Sequence, residues 1–153
     1  MAIDVTARVV IDRPRDEIAA YVTDHRNDPV WIGGLSESEL LGEAPVTEGS
    51  RVRRVASFLG RRVEYVMEVV RLEPGSVLEM RSVKSPFPMA VTYAFEDAAG
   101  GTAISVRVRG EPGAWYRIAG PLMARAVQRS IDADVARLKA TLERGGRAQS
   151  RDD

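Results

Sequence analysis

The chain has no cysteine among its 153 residues, which excludes disulfide staples, thiolate nucleophiles and cysteine-held zinc. A single histidine, His25, leaves little from which to build a metal centre or a histidine-based catalytic set. Net charge is missing too. The 22 Lys and Arg balance 22 Asp and Glu, so no overall field favours nucleic acid or an anionic membrane. No apolar run approaches the roughly 18 residues of a membrane span. The opening MAIDVTARVV lacks the basic stretch and long apolar core of a secretion signal. Gly33-Gly34 and Gly100-Gly101 sit in expected turns, and no phosphate-binding glycine pattern follows a strand. These absences predict one soluble cytoplasmic domain with no cofactor, no metal, no nucleic-acid partner and no integral membrane association.

What is present is patterned. Val5, Ala7, Val9 and Ile11 alternate with Thr6, Arg8 and Val10, the signature of a half-buried strand. Pro14 opens a helix whose first turn holds Asp16 and Glu17 and whose apolar stripe is Ile18, Tyr21 and Val22. Asn27-Asp28-Pro29 breaks the chain, Trp31 to Gly34 reads as irregular, and a short strand is expected near Glu37 to Leu41.

The hairpins that follow can be tested together. A two-residue turn at Leu59-Gly60 and four-residue turns at Glu73 to Ser76, Ser85 to Pro88 and Ala98 to Gly101 fix one register. In it Ala56 faces Val63, Val52 faces Met67, Val69 faces Met80, Met80 faces Tyr93, Leu78 faces Phe95, and Phe95 faces Ile104. The opposite face receives Arg51, Glu68 and Arg81 in a row. A one-residue slip would bury those charges. Arg53, Arg61 and Arg62, interspersed with Glu64, complete a solvated outer face rather than a nucleic-acid surface.

A long helix from Ile118 to Glu143 closes the chain. Ile118, Leu122, Ala126, Val127, Ile131, Val135, Leu138 and Leu142 form its stripe. Gly120-Pro121 should kink it or delay its start, and Gly145-Gly146 should end it. Residues 1–144 therefore read as one domain and 145–153 as a disordered polar tail.

This order is carried by IDRPRDEIAAYVTD, DPVW at Asp28 to Trp31, GSRVRR and FLGRRVEYVMEVVRLEPG, then SPFPMAVTYAFE, GGTAISVRVRG and DADVARLKATLE. It resembles the helix-grip fold of the Bet v 1-like, START-like (SRPBCC) superfamily, particularly its bacterial polyketide cyclase/dehydrase-type members. The resemblance runs from Val5 to Glu143. It implies an α+β fold in which a curved antiparallel sheet of about seven strands wraps around the C-terminal helix. Short helices would lie between the first and second strands, and an apolar cavity would lie under the closing helix.

On that frame Tyr65, Met67, Met80, Ser82, Tyr93, Phe95 and Val106 line the cavity from the sheet, and Leu122, Val127 and Ile131 line it from the helix. Met89 and Met123 are further adaptable wall positions. Trp31 and Trp115, in loops, are expected at the cavity mouth. Arg54 points inward opposite Tyr65, with Lys84 one strand beyond. This set would hold a carboxylate or an enolate, or else extend to solvent at the sheet rim. A buried guanidinium needs an anion, and Asp134 on the closing helix is the internal candidate. His25, without a nucleophile or triad partner, reads as a turn residue rather than a general base.

The function expected is binding or transport of a small hydrophobic ligand, a lipid, polyketide or isoprenoid, by a monomer or weak homodimer. The alternatives are a polyketide aromatase/cyclase-type enzyme and a protein-interaction module of the same fold. No catalytic residue is singled out.

Overall fold

The N-terminal alternation becomes β1 (Ile3–Ile11), with Ile3, Ala7 and Ile11 buried and Asp4, Thr6 and Arg8 outside. This is seen in a computed structural model that describes residues 3–58, 60–85, 88–111 and 114–151, with side chains described except at 58, 114–120 and 146–151. Leu59, Pro86 and Phe87, placed above in turns, lie outside the described residues.

Helix α1 (Arg15–Thr23) starts after Pro14 and buries Ile18, Ala19 and Val22. Asp24 accepts the Arg26 N–H and opens a 3₁₀ turn at His25–Asn27, which runs into the single-turn helix α2 (Asp28–Trp31). Then come β2 (Leu35–Leu41), β3 (Arg51–Phe58), β4 (Arg61–Glu73), β5 (Val77–Lys84), β6 (Met89–Ala98), β7 (Gly101–Gly110) and α3 (Ala114–Arg151). The sheet is antiparallel in the order β1-β7-β6-β5-β4-β3-β2, so β1 is the one strand paired out of sequence.

The expected pairs Ala56–Val63, Val52–Met67, Val69–Met80 and Phe95–Ile104 form, and Arg51, Glu68 and Arg81 line up across three strands. The β5–β6 register differs. Leu78 pairs with Tyr93 and Met80 with Val91, two residues from the expected partners. Pairing stops at Arg81–Ala90, and the Ser82 hydroxyl accepts the Met89 N–H at 2.9 Å in place of further ladder bonds. An even shift keeps every side chain on its face, so the inward set survives. Lys84 does not belong to it. An irregularity between Val66 and Met67 sets Lys84 opposite Val66, where it is exposed.

Helix α3 is longer than its periodicity predicts at both ends. Pro121 lies inside it, removing one backbone donor without delaying the start. Gly145-Gly146 also lies inside it. Glycines cost roughly 1 kcal/mol each relative to alanine, too little to halt a helix already propagated.

The helix is held to β1 and α2. Lys139 Nζ donates to Val10 O at 2.6 Å, Gln128 Nε2 to Thr6 O at 3.0 Å, and Arg137 Nη1 to Trp31 O at 2.8 Å. Its close backbone approach is chiefly to β1, so it stands off the central strands and long side chains must span the gap. The core lies there, around Trp31, Met67, Val69, Ile104 and Leu138, all essentially without solvent contact.

Candidate functional site

Most of the side chains expected to line a chamber form a solid core instead. Met67, Met80, Tyr93, Phe95, Val106 and Ile131 are buried in one cluster. Trp31, expected at a cavity mouth, is its centrepiece. It is 1% exposed and meets Tyr93 edge-on, with ring centroids 5.9 Å apart. Winding of Asp28–Trp31 into a helical turn, in place of an irregular segment, carries the indole inward. The side chains of Trp115 and Ile118 lie outside the described residues. Leu122 is 69% exposed and lines nothing. At 3.6 residues per turn it stands two and a half turns from Ile131, on the opposite side of α3. That arithmetic was available in the sequence.

The polar centre of this packed region is an ion pair. Arg54, 5% exposed, donates from Nη2 to Asp28 Oδ2 at 2.9 Å, and Asp28 is 2% exposed. Ser38 Oγ donates to the same oxygen at 2.8 Å. Arg54 is thus buried rather than extended to the rim. Its carboxylate is Asp28, not Asp134, which corrects the expected pairing. Nothing in local spacing marks Asp28, because the two residues meet only after α2 packs beside β2 and α3.

Burial opposes the Arg54 charge, but Tyr93, Asp28 and Tyr65 outweigh it and push its pKa up. Burial pushes the Tyr93 phenol up to about 12 and raises that of Tyr65, while Arg54 pulls both down. Arg54 Nε and Trp31 Nε1 are buried without hydrogen-bond partners among the described residues.

An apolar cavity of about 220 Å³ does exist, at the end of the sheet beyond Tyr65. Tyr65 and Val127 line it, as do Met89 and Met123, with Ile3, Ile32, Val63 and Val108 completing the apolar walls. Ser82 is half-buried and occupied with the Met89 N–H. Asp134, expected to pair with Arg54, instead lines the cavity at 7% exposure. Its Oδ1 accepts the Gly33 N–H at 2.8 Å and Arg137 Nη1 at 3.3 Å. Burial pushes the Asp134 carboxyl up, opposed by those two donors. A Cβ on Gly33 would lie 3.1 Å from Oδ1, so glycine permits this close approach of α3 to the α2–β2 connection.

His25 is remote from this cavity. It borders an open surface groove of about 440 Å³ beside Ala44, Pro45 and Val46, and makes no side-chain hydrogen bond among the described residues. Among those residues no three His, Asp or Glu side chains are placed to share a metal, and no helix is long and apolar enough to cross a membrane.

Comparison with known proteins places this geometry. A Thermus thermophilus protein, TTHA0849, has a solved structure that superposes with a TM-score of 0.79 at 17% identity, covering 90% of this chain and 94% of that one. A START superfamily protein from Mycobacterium smegmatis gives 0.78 at 14% identity, covering 92% and 97%. The Zhui aromatase/cyclase from Streptomyces sp. R1128 gives 0.74 at 16% identity, covering 92% and 93%. At such identities the likeness is one of fold. No curated protein matches the sequence. The family described as polyketide cyclase/dehydrase and lipid transport matches residues 2–143, and the chain belongs to that family.

Proposed function

We propose that the protein binds or carries a small, largely apolar molecule in the cavity walled by Tyr65, Val127 and Asp134, acting in the cytoplasm as a monomer or weak homodimer. The observation that carries this reading is the contrast in packing under one helix. A tightly packed core abuts an apolar pocket of about 220 Å³, partly open to solvent and faced by two flexible methionines, Met89 and Met123. Methionine suits a wall that must adapt. The volume lies below the roughly 300–1,000 Å³ of ordinary ligand pockets, which favours a single ring or short chain over a full-length lipid. Arg54 stands outside this role, since Asp28 neutralises it.

The test is native mass spectrometry of protein from its own host, beside a Val127→Trp variant that fills the void. A small molecule retained by the first and lost from the second supports the reading. Equal retention, or none by either, overturns it.

A second reading, an aromatase/cyclase-type reaction, has one observation in its favour. Two titratable groups, Tyr65 and Asp134, share the cavity wall. Turnover of a linear polyketide that persists in both Tyr65→Phe and Asp134→Asn would remove those groups from any such chemistry.

A further inference from the structure

We infer that the cavity selects ligands bearing a hydrogen-bond donor, a hydroxyl or an ammonium group on a single ring or short chain, and disfavours carboxylates. This rests on the cavity being a binding site and names what it takes.

The first ground is a half-satisfied carboxylate. Asp134 is 7% exposed, and both of its hydrogen bonds end on Oδ1. Oδ2 takes none among the described residues. An ionised carboxylate offers about four acceptor sites, so half of this one's capacity is unused beside an apolar chamber. This oxygen is not among the fully buried atoms left without a partner, so it faces accessible space, where a ligand's donor can give it a charge-assisted hydrogen bond.

The second ground is the state of the cations. Arg54, which the sequence suggests as an anchor for an acid, is paired with Asp28 and does not line the cavity. Arg137 is held by Trp31 O and Asp134 Oδ1, and its side chain is 44% exposed. An incoming carboxylate would therefore meet Oδ2 of like charge with no unpaired cation among the lining residues. Ser57, Ser130 and Tyr65 also line the wall, and a hydroxyl can donate or accept, though that of Tyr65 is engaged with Arg54.

Size is the third ground. A cavity of about 150 Å³ admits benzene, so about 220 Å³ has room for a ring with one short substituent.

The experiment is an NMR titration of the wild-type protein at neutral pH with four probes of one shape: toluene, benzyl alcohol, benzylammonium and benzoate. The alcohol or the ammonium should bind at least about tenfold more tightly than toluene, with benzoate weakest. Asp134→Asn keeps an acceptor for the Gly33 N–H but replaces the charged oxygen. It should narrow the preference for benzylammonium over benzoate by at least about tenfold. Toluene binding as tightly as the alcohol and the ammonium, or benzoate binding tightest, overturns the inference while leaving the cavity as a binding site. No binding of any probe overturns both. The wild-type series decides the matter by itself if the variant does not fold.

Discussion

Two buried carboxylates mark two differently built ends of one concave face. At the packed end Asp28 receives Arg54 and Ser38 and is sealed beneath Trp31, Tyr93 and Met80. At the open end Asp134 is almost as buried and its two bonds likewise end on one oxygen, but it faces the cavity and its ion-pair partner, Arg137, is largely exposed. Burial and the number of hydrogen bonds are nearly equal, and the surroundings are not. One carboxylate meets a buried guanidinium, the other open apolar space.

Breaking the packed end should have the largest effect. Arg54→Met strands Asp28 at 2% exposure and should cost about 3–5 kcal/mol in urea unfolding, most of it recovered in the Arg54→Met, Asp28→Leu double variant. Asp134→Asn, which retains the Gly33 bond, should cost less than about 2 kcal/mol. Equal losses at the two sites would dissolve the comparison.

Packing sharpens it next. Leu138→Ala, at a position with no exposure, should lose about 2–5 kcal/mol, whereas Val127→Ala beside the void should lose less than about 1 kcal/mol. In the same assay Val127→Phe should change stability by no more than about 1 kcal/mol, because it grows into empty space, and should abolish toluene binding. A loss of the size expected for Leu138→Ala would mean the cavity wall is already full.

Alkaline pH probes both ends, through Tyr93 at the packed one and Tyr65 at the cavity, with Tyr93 giving the defined window. The folded Tyr93 phenol titrates at about 12, against about 10 when unfolded. Between those values the unfolded chain gives up its proton first, so stability should fall as pH rises through that window. Phenolate absorbance and circular dichroism should change together, and Tyr93→Phe should flatten the slope. Phenolate forming at Tyr93 without loss of structure would show that solvent reaches it.

The smallest effect is expected at His25. His25→Ala should shift stability by less than about 0.5 kcal/mol and leave probe binding unchanged, because the residue touches neither end's hydrogen bonds. A large loss of binding would give the groove beside α1 a part in the site.

Much of the fold was legible because its causes are local. A strand's side chains alternate with period 2, and Pro74-Gly75 and Gly100 mark turns. Thus the inward set from Val52 to Ile104 and the outer row of Arg51, Glu68 and Arg81 followed from the residues alone. Even the β5–β6 error was a shift of two that moved no side chain across the sheet. The face opposite Ile131 on which Leu122 falls was also computable from helical period.

The sequence by itself determined most of the strand residues that point inward, though not Lys84, and that a long helix covers them. Tertiary structure decided which of those residues touch, and where space remains. The union of Asp28 with Arg54, 26 positions apart, depends on α2 folding beside β2 and α3. The division into filled core and cavity depends on α3 being drawn to β1 and α2 by Lys139, Gln128, Arg137 and Asp134 while standing off the central strands. Periodicity specifies a direction for each side chain. It carries no information about the distance between a helix and a sheet, and that distance separates a packed core from a chamber.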